Sequence, residues 1–137
     1  MNSDPETIRG KLEIVRDRLQ FLEDEEHDLS VQRDRQAVKH TLQEAIEASL
    51  DTANHIISAE GFGRPDDYAD YFPRLARHDV ISKSLADKLS EMARFRNVLV
   101  HLYDEVDPET VARILNNDLG DLRAFARAMY AYLDADA

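Results

Sequence analysis

Between Arg94 and Val106 the chain reads Arg-Phe-Arg-Asn-Val-Leu-Val-His-Leu-Tyr-Asp-Glu-Val, so that Arg96, Asn97, His101 and Tyr103 interrupt an apolar run. Polar groups buried in a core helix without partners cost stability, so this run points to a role outside packing. Histidine exchanges a proton near neutral pH, and arginine stabilises the charge that gathers on a pentavalent phosphorus. One histidine, one arginine and one tyrosine are the parts that RNA cleavage without a metal ion requires. His101 would take the 2′-hydroxyl proton or give one to the departing 5′-oxygen, Arg96 would hold the phosphate, and Asn97 would orient either. A histidine and a tyrosine near a helix C-terminus more often cap or pack than catalyse, and a cationic histidine is favoured there electrostatically.

At about 100° per residue, Asn97 and His101 lie one turn apart on one helix face. Arg96 and Tyr103 share a face only if the helix continues, and Asp104 to Pro108 signal a turn. A single histidine does not conveniently serve as base and acid in one step. A two-fold homodimer would bring two copies of the run to one cleft, supplying two histidines, two arginines and a locally positive groove.

The elements that must position these residues read as helices. Four glycines and four prolines fall between long stretches with apolar residues at helical spacing. Asp4 and Pro5 open a first helix with Ile8, Leu12, Val15, Leu19 and Leu22 on one stripe. A second runs from near Ser30 to about Ala59, ended by Gly61 and Gly63. Arg64-Pro65-Asp66-Asp67 marks a new start, followed by a short helix with Tyr68, Tyr71, Phe72 and Leu75. Ser82 is the expected N-cap of a fourth helix bearing Leu85, Leu89, Met92, Phe95 and Leu99. Asp107-Pro108-Glu109 opens the last, with Val111, Ile114, Leu115, Leu122, Phe125, Met129 and Tyr132, and Gly120 as a bend. The fold class expected is all-α, a single domain over residues 1–137 built as a bundle of about five helices.

Composition narrows the rest. There are 137 residues, enough for one core, and no cysteine, which excludes disulfides, thiolate metal sites and thiol catalysis. No segment approaches the roughly 20 apolar residues that cross a bilayer, and the first twenty residues lack a signal-peptide core, so a cytoplasmic protein with no membrane contact is expected. Seventeen basic residues against 28 acidic give a net charge of −11, which opposes attraction to nucleic acid at large. Local charge at a cleft decides binding, and clusters such as Glu23 to Glu26 hold much of the acid. His27, His40, His55 and His78 show no metal-ligand spacing, and Gly61-Phe62-Gly63-Arg64 lacks a P-loop lysine, so neither metal nor cofactor is expected. Tyr68, Tyr71, Tyr130 and Tyr132 follow helical spacing and are expected in the core or an interface rather than as base-stacking platforms. Asp51 is a supporting candidate that would pair with Arg96 or tune His101; on general grounds a solvated helix-face aspartate has the greater weight.

Arg96-x4-His101-x-Tyr103 resembles the R-x4-6-H signature of HEPN domains, in the R-x4-H-x-Y form of HepT-like toxins, with Asn97 matching the polar residue that often follows the arginine. The resemblance extends over Asp51-Thr52-Ala53-Asn54-His55-Ile56, Tyr68 to Leu75 and the closing helix after Pro108. It implies a homodimeric, metal-independent endoribonuclease toxin of a type VII-like toxin–antitoxin pair, acting on mRNA or tRNA. Its partner would be an MntA-type nucleotidyltransferase antitoxin. The resemblance places Arg96 and His101 at the cleavage site and makes Tyr103 the acceptor of AMP, whose bulk and charge would compete with substrate phosphate. The acidic balance, and Asp104-Glu105 beside Tyr103, are departures. They leave open an alternative, a non-catalytic nucleotide-binding, AMP-acceptor module.

Overall fold

The computed structural model describes residues 5–101 and 108–135, apart from the side chains of Val100 and His101. Asp4, Tyr103, Asp104, Glu105, Asp107 and the side chain of His101 thus lie outside the described residues. Among the described residues six helices follow in order: α1 (Pro5–Asp24), α2 (Gln32–Glu60), α3 (Tyr68–Arg77), α4 (Lys83–His101), α5 (Pro108–Asn117) and α6 (Leu119–Ala135).

The stripe read along the first helix is the one that is buried: Ile8, Leu12, Val15, Leu19 and Leu22 face inward from α1. α2 stops where Gly61 turns to φ 67°, a left-handed position that glycine takes without steric cost. Its buried hydroxyls do not disturb the core, because Ser49 donates to the Ala45 carbonyl at 2.9 Å and Thr52 to that of Ala48 at 2.8 Å.

α3 begins at Tyr68 rather than at Pro65, since the Asp67 side chain accepts the Asp70 amide at 3.1 Å and fixes the first turn there. Ser82 caps α4 through the Leu85 amide at 3.1 Å. The closing segment is two helices, which makes six where about five were expected. The break falls at Asp118, whose carbonyl accepts the Asp121 amide at 3.0 Å. Asn116-Asn117-Asp118 and Gly120 are all poor helix formers, and the break lets Val111 and Ile114 of α5 and Leu122 and Phe125 of α6 be buried independently.

α2 is central, packing on α1, α3, α4 and α6, while α3 lies against α4 and α1 against α6. One hydrophobic core takes residues from all six helices, and Phe72 of α3 meets Phe125 of α6 edge to face with centroids 5.3 Å apart. Leu99, fully buried, pins the last turns of α4 to this core. Among the described residues no helix is long and apolar enough to cross a membrane.

Candidate active site around Arg96

Along α4 the buried apolar positions are Ala86, Leu89, Met92, Ala93 and Leu99, a stripe at helical spacing. Arg96 falls on that same stripe, at a place where the pattern calls for an apolar residue. Its side chain is only 17% exposed. Asn97, one position on, is exposed together with Arg94 and Val98. The helical register puts position 101 in line with these three, at steps of seven, four and three. Arg96 and His101 are five residues apart, hence about 140° apart around the axis and about 7.5 Å along it.

The guanidinium of Arg96 lies where α2, α3 and α4 meet. Nη1 donates to the Asn97 side-chain oxygen at 3.3 Å. Nη2 is 3.6 Å from Oε2 of Glu47 on α2, an ion pair beyond hydrogen-bonding distance. The other oxygen of Glu47 accepts from the Gln43 amide at 2.7 Å, which orients the carboxylate. Beneath the guanidinium is the ring of Tyr68, the first residue of α3, 4.7 Å from Cζ. Nε of Arg96 is buried and has no hydrogen-bond partner among the described residues.

Magnitudes decide what this arrangement is for. A buried donor left unsatisfied costs about 1–3 kcal/mol. A partly exposed ion pair returns about 0–1 kcal/mol, and a cation over an aromatic face about 0.5–2 kcal/mol. The terms roughly cancel, so Arg96 adds little to stability. An anionic ligand that accepts from the guanidinium would change the balance.

Asp51, a candidate partner of Arg96 from sequence, is exposed and ion-paired with Lys11 of α1 at 3.5 Å. The carboxylate beside Arg96 is that of Glu47, one turn earlier on α2. The two acids differ by a single turn, and which one meets α4 depends on the crossing of the helices, which the sequence does not carry. Tyr68 is 38% exposed, so it is not a core residue, and its ring lies against Arg96. Tyr71, Tyr130 and Tyr132 are half-buried against the core, as their spacing implied. The rings of Tyr68 and Tyr71 are 5.7 Å apart. Burial, with the charge of Asp51 and the neighbouring Tyr68 behind it, raises the Tyr71 hydroxyl above the ordinary tyrosine range despite Arg64, so Tyr71 stays neutral. No ionisation chemistry is expected of it.

A concavity of about 830 Å³ lies elsewhere, between α1 and α6. Its walls carry Glu13, Asp17, Glu23, Asp24 and Asp134 against three arginines, an excess of negative charge that disfavours a phosphate. Arg123 there is already paired with Glu23. The chemistry chooses Arg96.

The chain is 36% identical to an mRNA nuclease HepT of Shewanella oneidensis over 84 residues, which is 61% of this chain and 63% of that relative. It is 26% identical to a tRNA nuclease HepT of Aphanizomenon flos-aquae, over 96% of this chain and 93% of the relative. The fold superposes on a tri-AMPylated Shewanella oneidensis HEPN toxin in complex with an MNT antitoxin, with a TM-score of 0.82 and 29% identity, covering 96% of this chain and 99% of the other. The ribonuclease HepT-like family matches residues 8–129, and the chain belongs to that family.

Proposed function

We propose that this chain is a metal-independent endoribonuclease toxin of a toxin–antitoxin pair, with Arg96 and His101 as its catalytic residues and Asn97 in support. The observation that carries the reading is Arg96 itself: a guanidinium on the core-facing stripe of α4, held on three sides, with a buried donor unmatched among the described residues. In the reaction His101 takes the proton of a 2′-hydroxyl, the 2′-oxygen bonds to phosphorus, and the bond to the 5′-oxygen breaks as that oxygen is protonated. Arg96 stabilises the charge on the phosphoryl oxygens between those events.

The angular separation of Arg96 and His101 favours a homodimer. Arg94, Asn97 and Val98 give α4 an exposed face in register with position 101, on which two copies would bring their motifs together. The substrate is an RNA, mRNA or tRNA, as the names of the relatives indicate for those proteins. Tyr103 is the proposed acceptor of AMP from an MntA-type nucleotidyltransferase, by analogy with the AMPylated toxin bound to its antitoxin. Action in the cytoplasm follows from such partners.

The test is incubation of EDTA-treated wild type and His101→Ala with total RNA and tRNA, after mass measurement shows Tyr103 unmodified. Cleavage by the wild type alone is expected. A folded, unmodified wild type that leaves every RNA intact would turn the reading to the AMP-acceptor module, which the net charge of −11 favours.

A further inference from the structure

Tyr68 has no place in the R-x4-H-x-Y motif, yet it is the surface on which the motif arginine rests. An arginine side chain has four rotatable bonds, and a free one samples many positions. In a chain of net charge −11, carboxylates compete for it. Among the described residues, two weak restraints act on the charged end of Arg96: Asn97 at 3.3 Å, adjacent in sequence, and Glu47 at 3.6 Å. Neither defines the plane of the guanidinium. The ring of Tyr68 does, because a flat cation over an aromatic face at 4.7 Å is held against the ring's negative surface. Tyr68 is itself well placed to be rigid. It follows the Asp67 cap directly, and Asp70 in the same first turn is tied to Arg74 at 2.7 Å.

We propose that Tyr68 is the positioning residue for Arg96, setting the plane of its guanidinium for the phosphate at the moment of cleavage, an inference that rests on the ribonuclease reading above. The role belongs to the ring and not to the hydroxyl. Phenylalanine should therefore replace Tyr68, and leucine, similar in apolar character, should not.

Two measurements on the full chain test this. The first is RNA cleavage by wild type, Tyr68→Leu and Tyr68→Phe, each shown to be folded by its thermal melt. Tyr68→Leu is expected to lose at least about tenfold in kcat with KM nearly unchanged, since small misplacements of a group at the reacting centre cost rate more than binding. Tyr68→Phe restores the rate to within about twofold of wild type. A leucine variant with wild-type kcat overturns the proposal, as does a rise in KM alone, which would make Tyr68 a surface on which a base stacks. The second measurement is the nitrogen–proton resonance of Arg96 Nε, which needs no RNA. The ring should displace its proton signal in wild type and Tyr68→Phe, and the displacement should vanish in Tyr68→Leu. A resonance that stays put in Tyr68→Leu overturns the proposal whether or not RNA is cut. If the wild type cuts no RNA, the ribonuclease reading fails while this signal still decides whether Tyr68 holds Arg96.

Discussion

Two arginines of this bundle are about equally buried and are treated very differently. The side chain of Arg74 on α3 is 21% exposed and that of Arg96 on α4 is 17%. Arg74 donates Nε to Asp70 at 2.7 Å and Nη1 to the Phe62 carbonyl at 3.2 Å, closing the loop between α2 and α3. Gly63, at φ 91°, leaves room for it, since a Cβ there would come 2.6 Å from Nη1. Arg96 has Asn97 at 3.3 Å, a carboxylate out of hydrogen-bonding range and an Nε with no partner among the described residues. A guanidinium whose donors are matched within the fold stabilises it. One left partly unmatched is available to a ligand, and the difference is visible only in the partners.

The sharpest way to break this comparison is the same substitution at both sites. Arg96→Met places an apolar side chain on an apolar stripe, so the melting temperature should hold or rise. RNA cleavage should fall by at least about 10²-fold. Arg74→Met should do the reverse, costing about 1–3 kcal/mol in urea unfolding because Asp70 and the Phe62 carbonyl lose a charged donor. Its cleavage per folded molecule should change little. If Arg96→Met proves as damaging to stability as Arg74→Met, the distinction between the two is lost.

Much of this was legible in the sequence because it rests on local rules. The α1 stripe, the Ser82 cap and the Gly61 stop are decided by residues within a few positions of each other, and the structure repeats them. The motif segment stood out for a similar reason, as charge interrupting an apolar pattern. What could not be read depends on how helices cross. Glu47 and Asp51 offer the same chemistry one turn apart, and only the packing of α2 on α4 makes Glu47 the neighbour of Arg96. Tyr68 and Tyr71 belong to one apolar spacing, but Asp67 starts α3 so that Tyr68 sits at its outer end, where an arginine can lie on it. The division of the last helix at Asp118 was signalled by its glycine and asparagines, although a bend and a break look alike at that level.

A smaller effect tests the Arg74 half of the comparison by pH. Burial pushes the Asp70 carboxyl up. Hydrogen bonds from Arg74 and the Asp66 amide, with the charges of Arg74 and Arg77, outweigh it and leave the group below its ordinary range. A carboxylate with a lowered folded pKa stabilises the fold above its unfolded pKa of about 3.9, and the contribution is lost as pH falls from there through the folded value. Asp70→Asn should therefore cost about 1–2 kcal/mol at neutral pH. The gap from wild type should narrow only below about pH 4. A gap that already closes near pH 6 would mean that Asp70 is not held by its arginines.

Asp121 supplies the opposite sign and the smallest expected change. It stands in the first turn of α6, where a negative charge meets the favourable end of the helix dipole. Burial nevertheless raises its carboxyl above the usual range; Lys88, 4.0 Å away, opposes the rise, and Asp118 adds to it. A raised carboxylate pKa means that the charged form is disfavoured by folding. Stability is reduced above the folded pKa, and the deficit disappears as pH falls through that value to the unfolded one. Asp121→Asn, which keeps the shape but not the charge, should then stabilise the protein by about 0.5 kcal/mol at neutral pH. That gain should fade as wild type protonates on acidification. If Asp121→Asn instead destabilises at neutral pH, the helix dipole and Lys88 outweigh burial at the start of α6. Asp121 would then belong with Asp70, as a carboxylate matched within the fold.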